Sequence, residues 1–148
     1  MRRRALGHTA FALICAGLAS PALRGTALAG ERTAAAQANY MLNCMGCHIA
    51  DGSGAAGKVP SLRDSLVPLA SSAAGRRYLV EVPGAAQSVL SNLELAQLLS
   101  WMVRNLSAQG VPPEVVDFTE SEVAGYRRTP LIDVRAERKR LLGSSRWR

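Results

Sequence analysis

The chain has 148 residues, about the length of one domain, and its 18 basic and 11 acidic residues give a net charge of +7. Four of the basic residues and none of the acidic ones fall in residues 1–29, so residues 30–148 carry only +3. This small excess does not support a nucleic-acid-binding protein, and we expect no nucleic acid among its partners.

Residues 1–29 have the features of a secretory signal peptide. A basic start at residues 2–4 is followed by an apolar run at residues 10–19, and Ala27-Leu28-Ala29 provides a small-residue cleavage site. The apolar run is shorter than the roughly 20 residues that a bilayer crossing needs, and no later run is long enough. We therefore predict export to the periplasm and no membrane span after cleavage, which would also remove Cys15.

Helices are predicted along the rest of the chain, because no stretch alternates as strands do. The alanine-rich residues 31–43 predict a first helix, and the glycine-rich residues 49–60 predict a loop. Two short helices are expected near 62–69 and 72–80, the second ended by Pro83-Gly84.

The clearest helical pattern covers residues 91–106. Ser91 and Glu94 form a capping box, and a stripe of Gln97, Ser100 and Arg104 makes one side polar. The opposite side is predicted to pack into the core through apolar residues at helical spacing, namely Leu95, Leu98, Leu99, Met102 and Leu106.

Residues 108–148 predict a C-terminal helical extension. Pro112-Pro113 breaks the chain, Thr119 and Glu122 cap a short helix to about residue 128, and a last helix is expected at 131–142. The final 14 residues hold six basic side chains and one acidic one, so we expect a solvated cationic tail. The fold class is therefore all-α, with residues 30–107 as the main domain.

Cys44-Met45-Gly46-Cys47-His48 is the attachment signature for c-type haem. Two thiols one helical turn apart can each add to one vinyl group of a porphyrin, and His48 is then placed to supply the proximal axial nitrogen to the iron. A zinc site would need more ligands, a redox dithiol would need a strand beside it, and a plain disulfide would leave His48 unexplained. The motif therefore favours one covalent haem c over these alternatives.

Over about residues 31–107 the chain resembles the class I cytochrome c family, since Pro60 and Leu62 stand at the family's spacing from the motif histidine. The resemblance implies a small helical domain around one haem. It also implies that the Pro60 carbonyl accepts a hydrogen bond from His48 Nδ1 and that Leu62 packs on the porphyrin. The helix at 91–106 is similar to the family's last haem-domain helix, and Trp101 stands where the family usually has an aromatic residue. The resemblance implies that Trp101 packs against the haem. Ordinary core packing is the alternative, and the two roles are compatible.

The sixth iron ligand departs from the family pattern. The family places a methionine in the loop before the last haem-domain helix, but residues 63–90 contain none, and Val82 stands where it would be expected. Met102 is the candidate that remains, with an ordinary core role as the alternative. Ligation by Lys58 or Tyr78, a bound water and a five-coordinate iron stay open.

These features predict an electron carrier with no catalytic residues of its own. Its expected partners are redox proteins such as a periplasmic dehydrogenase or a terminal acceptor. The alternative is a haem-based sensor or ligand-binding protein, or a weak peroxidase, because the missing loop methionine would leave an iron position open.

Overall fold

The computed structural model describes residues 21–143, which form helices and loops with no strand. The all-α prediction is confirmed over this range. The basic start and apolar run of the predicted signal peptide lie outside it. In chain order the described helices are α1 Pro21–Asn43, α2 Met45–His48, α3 Leu66–Ala70, α4 Ala73–Glu81, α5 Pro83–Ala86, α6 Asn92–Leu106, α7 Glu120–Tyr126 and α8 Val134–Leu142.

The first helix begins earlier than predicted. α1 starts at Pro21 and runs through the predicted cleavage site at residues 27–29. Most of its described side chains are exposed, but Ala36 and Tyr40, four residues apart, are buried on one stripe. α1 packs against α6, where Tyr40 contacts Trp101. Within the described range, no helix has the length and hydropathy to cross a bilayer.

α6 is the central helix, and its predicted capping box and apolar face are confirmed. The Ser91 hydroxyl accepts from the Glu94 backbone N–H at 3.2 Å, and the Glu94 carboxylate accepts from the Ser91 N–H at 2.8 Å. The helix packs against α1, α3 and α7. All five of the apolar residues named for its core face are buried: Leu95, Leu98, Leu99, Met102 and Leu106.

The two short helices before α6 pack tightly together. α3 begins at Leu66, later than predicted, and Ser72 caps α4 by accepting from the Gly75 N–H at 3.1 Å. A Cβ at Gly75 would lie 2.1 Å from the Leu69 carbonyl oxygen, so only glycine fits where α4 approaches α3. Pro83 lies beyond the end of α4, as predicted, and it also opens α5 because proline suits the first helical position.

The C-terminal extension packs into the same hydrophobic core as the residues before position 108. Val115, Phe118 and Val123 are buried in the same apolar cluster as the α6 side chains. The polar side of α6 contacts the extension as well. The Ser100 hydroxyl accepts from the Phe118 N–H at 2.8 Å, and Arg104 forms an ion pair with the exposed Asp117. Part of the polar stripe on α6 therefore binds the extension instead of facing only water.

The last two helices are capped as local sequence dictates. Thr119 accepts from the Glu122 N–H to begin α7, and Asp133 accepts from the Ala136 N–H to begin α8, a few residues later than predicted. α8 packs against α3 and α4. Arg138 on α8 is only 6% exposed. The prediction of a solvated tail is therefore wrong for Arg138, because docking of α8 turns this one side chain inward.

Candidate functional site

The Cys44–His48 segment forms one tight helical turn at the end of α1. The Cys44 N–H donates to the Tyr40 carbonyl at 2.9 Å, and the His48 N–H donates to the Cys44 carbonyl at 3.0 Å. Residues three and four apart share a helix face, so Cys47 and His48 lie on the side of Cys44. Both cysteines are free thiols, Cys44 half-buried and Cys47 exposed.

The chain reverses immediately after His48. Ile49 has φ 56°, and its carbonyl accepts from the Tyr40 hydroxyl at 2.6 Å. The Gly54 N–H donates to the His48 carbonyl at 3.0 Å. Gly54 has φ 71°, and a Cβ there would lie 2.5 Å from the Val59 carbonyl oxygen. This closely packed loop brings Pro60 back beside the motif.

An apolar cavity of about 340 Å³ lies beside the motif. This volume falls within the roughly 300–1,000 Å³ typical of small-molecule and cofactor sites. α4, α6, the segment containing α5 and the loop before α3 form most of its wall, and α8 closes part of it. Its apolar lining side chains are Leu62, Leu79, Val82, Pro83, Ala85, Leu90, Leu95, Leu98, Leu99, Met102 and Val134.

Most of the residues predicted for the site line this one cavity. Cys44, Cys47, His48, Pro60 and Leu62 all contribute to its wall. Residues from the motif and from the loop after it are thus brought together, as the prediction requires.

Met102 and Trp101, neighbours on α6, face different surroundings. Met102 is buried in the cavity wall. Trp101 is not part of that wall and instead packs on Tyr40, with ring centroids 5.6 Å apart. Its position on α6 directs the indole toward α1, and a contact of Trp101 with a cofactor stays a prediction.

His48 is held in a neutral form by its surroundings. Burial is the main cause that lowers the pKa of its imidazole, and the positive charge of Arg138 lowers it further. The nearby Pro60 carbonyl acts in the opposite direction and raises the pKa of His48. Its contact with Nδ1 does not, however, have the geometry of a hydrogen bond. A neutral imidazole keeps a ring nitrogen lone pair available for a metal.

The half-buried Cys44 is a protonated thiol at neutral pH. Burial, and then the neighbouring Cys47, raise its pKa to about 11. The described residues contain no group of three or more His, Cys, Asp or Glu side chains that could hold a metal ion. Of the two side chains left open as iron ligands, Tyr78 lines the cavity, whereas Lys58 is exposed and does not.

Two arginines of the extension contact the site or its supporting segment, and nothing in the sequence beyond their charge distinguishes them from the other basic residues. Arg127 donates to the carbonyls of Ala86, Ser88 and Leu90, at 2.8 Å for Ala86 and 2.6 Å for Leu90. Arg127 thereby holds in place the segment after α5 that lines the cavity. Arg138 lines the cavity directly.

Comparison of the chain with protein-family models, curated proteins and solved structures gives no match.

Proposed function

We propose that this protein holds one covalent haem in the cavity beside Cys44, Cys47 and His48, and carries single electrons as an exported periplasmic cytochrome c. The observation that carries the proposal is the position of both thiols and the imidazole on the wall of one apolar cavity. The neutral imidazole of His48 on the cavity wall and the apolar lining fit a flat, largely apolar ligand with a metal at its centre.

Each motif side chain has a distinct task. Cys44 and Cys47 would hold the haem covalently: each thiol would add across one vinyl group, forming a carbon–sulfur bond while the thiol hydrogen goes to the other vinyl carbon. No electron is gained or lost in this addition. His48 supplies an imidazole nitrogen, and Pro60 lies where its carbonyl can accept from Nδ1 once the ring is fixed. The bound haem supplies the one-electron iron couple.

The surface around the motif suits brief contact with a redox partner. Cys47 is exposed, and the nearby apolar side chains of Met41, Leu42 and Ile49 are 53%, 82% and 44% exposed. A ligand bonded to Cys47 would therefore have an edge near the surface. Partners such as a periplasmic dehydrogenase or a terminal acceptor would dock there through a small interface.

A sensor or ligand-binding protein, with weak peroxidase activity as its enzymatic form, is the second candidate. The specific observation in its favour is the cavity wall at residues 82–85, which presents Val82, Pro83, Gly84 and Ala85 and no metal-binding side chain. Met102 lines the wall and is the side chain we propose as a second iron ligand, and Tyr78, which also lines the wall, is the alternative. An electron carrier is expected to show the near-infrared thioether-to-iron band and slow, weak binding of carbon monoxide. Rapid, tight binding of carbon monoxide at neutral pH would favour the second candidate.

Haem attachment is tested by expressing the chain with the cytochrome maturation machinery and staining a denaturing gel for haem. The parent should retain haem through two thioether bonds. Cys47→Ala should retain much less. Gly46→Ala is the matched control within the motif, because a Cβ at Gly46 meets nothing within 4 Å, and it should stain like the parent. A parent protein without haem would contradict the proposed function.

A further inference from the structure

Arg138 places a buried positive charge at the cavity. The residue is 6% exposed and lines the same wall as His48 and Tyr78. Its charge acts on both neighbours: it lowers the pKa of His48 and opposes the rise that burial causes in the pKa of Tyr78. The guanidinium therefore lies within electrostatic reach of the imidazole predicted to bind iron.

The described residues provide no anion for this guanidinium. Nε is buried without a hydrogen-bond partner, and Nη2 reaches the Ser61 carbonyl only at 3.4 Å. The acidic side chains closest along α4 and α8 have other partners. Glu81 accepts from Arg77 at 2.6 Å, and Glu137 accepts from Arg140 at 2.5 Å.

A buried charge without a counter-charge is strongly disfavoured, and removing one partner of a buried pair destabilises a protein for this reason. The Tyr78 hydroxyl oxygen accepts from the guanidinium, but it is neutral and does not compensate the charge. An anionic group on a ligand bound in the cavity would compensate the charge of Arg138. A planar guanidinium suits a carboxylate, which it can bind through two parallel hydrogen bonds.

We propose that Arg138 pairs with a carboxylate of the cavity's ligand, with the Tyr78 hydroxyl as a second donor. This inference rests on the proposed haem, whose propionates are the carboxylates in question. α8 then completes the cofactor site, and the C-terminal extension is part of the haem-binding unit.

The first test uses the haem-loaded full chain and the propionate bending band of its resonance Raman spectrum. Arg138→Gln removes the charge and should shift this band, whereas Arg138→Lys keeps the charge and should move it back toward the parent. Lys139→Gln is the matched control, because it removes the same charge from an exposed neighbour on α8. An Arg138→Gln band identical to that of the parent would overturn the inference.

The second test separates carboxylate binding from a general effect on folding. The full chain with Cys44→Ala and Cys47→Ala is titrated with iron protoporphyrin IX and with its dimethyl ester, which lacks carboxylates. Adding Arg138→Gln should weaken binding of the free acid by about tenfold, the usual strength of a charge-assisted hydrogen bond, and leave the ester unchanged. Equal weakening for both porphyrins would overturn the proposed pairing.

The outcomes distinguish the two proposals. If the parent chain retains haem but Arg138→Gln behaves like Lys139→Gln in both tests, only the role of Arg138 is lost. If the parent chain retains no haem, the proposed function fails, and the inference that depends on it fails too.

Discussion

Ile49, the residue after the motif histidine, has a backbone conformation that β-branched residues rarely adopt, with φ 56° and ψ 175°. The hydrogen bond from the Tyr40 hydroxyl to its carbonyl, at 2.6 Å, holds it there. Strained residues persist where neighbouring contacts fix them, and they cluster at functional sites. Here the strain lies where the chain turns away from His48, which fixes the direction of the imidazole.

Replacing Ile49 by glycine should stabilise the protein by about 1 kcal/mol. Relief of a strained backbone is worth about 1–3 kcal/mol, and the greater freedom of glycine in the unfolded chain offsets about 0.4–1 kcal/mol of this. Urea unfolding at pH 7 measures the difference. The control is Ala50→Gly at the next, exposed position, which should destabilise the protein. Equal losses in both variants would contradict the strain at Ile49.

Tyr40 should make the protein sensitive to alkali. Burial is the main cause that raises its pKa from the ordinary 10.0 to about 12. The unfolded chain therefore releases the phenolic proton first, and stability should fall as the pH rises from 10 to 12. In Tyr40→Phe the loss over this window should be smaller, as measured by urea unfolding at pH 9 and pH 11. An equally steep loss in both proteins would contradict this assignment.

At the scale of single elements, α6 organises the site. Its buried stripe supplies Leu95, Leu98, Leu99 and Met102 to the cavity wall, while its N-terminus is fixed by the capping box of Ser91 and Glu94. A helix that starts at a fixed residue presents its side chains in a fixed register, because each residue turns by a constant angle. The cap therefore helps to determine that Met102, and not Trp101, lines the cavity.

Removal of the α6 cap should cost about 1 kcal/mol of the free energy of unfolding, the typical value for losing an N-cap side chain. Ser91→Ala removes the acceptor for the Glu94 N–H and one donor to the Glu94 carboxylate. Thermal or urea unfolding measures the loss. Ser91→Thr retains a hydroxyl and should lie close to the parent. A Thr variant as unstable as the Ala variant would show that the hydroxyl is not what matters at this position.

Features that depend on neighbours in sequence could be predicted, and features that depend on packing could not. The caps at Ser91 and Thr119 were predicted because each involves residues three positions apart. The motif and Pro60 line one cavity because a short loop joins them, and their role in binding a cofactor stays a prediction. The resemblance implies an aromatic residue at Trp101 but not its neighbour in the core, which is Tyr40. The contact depends on the register of α6 against its neighbouring helices, and the sequence of α6 alone does not determine that register.

For the whole molecule, the extension and the residues before it form one unit. Arg76 on α4 forms a largely buried ion pair with Glu122 on α7 at 2.6 Å, and its guanidinium lies 3.9 Å from the ring centroid of Phe118. The sequence indicated a basic end at residues 135–148 but not which of its charges turns inward. That choice depends on how α8 docks on α3 and α4 to bring Arg138 to the cavity.

Phe118→Ala should therefore destabilise the entire protein and not only its C-terminal segment. The ring is buried, so its removal is expected to cost about 3–5 kcal/mol. Val116→Ala, at a position 64% exposed, should change stability very little. Fluorescence of Trp101, which lies on α6, measured with Trp147 replaced by phenylalanine in every protein, and proteolysis of residues 108–143 should report the same urea midpoint in each variant. Coincident transitions are expected because Phe118 and Arg76 bind the extension to the core that carries the site. If the extension lost its protection from proteolysis before the Trp101 signal changed, it would fold as a separate unit.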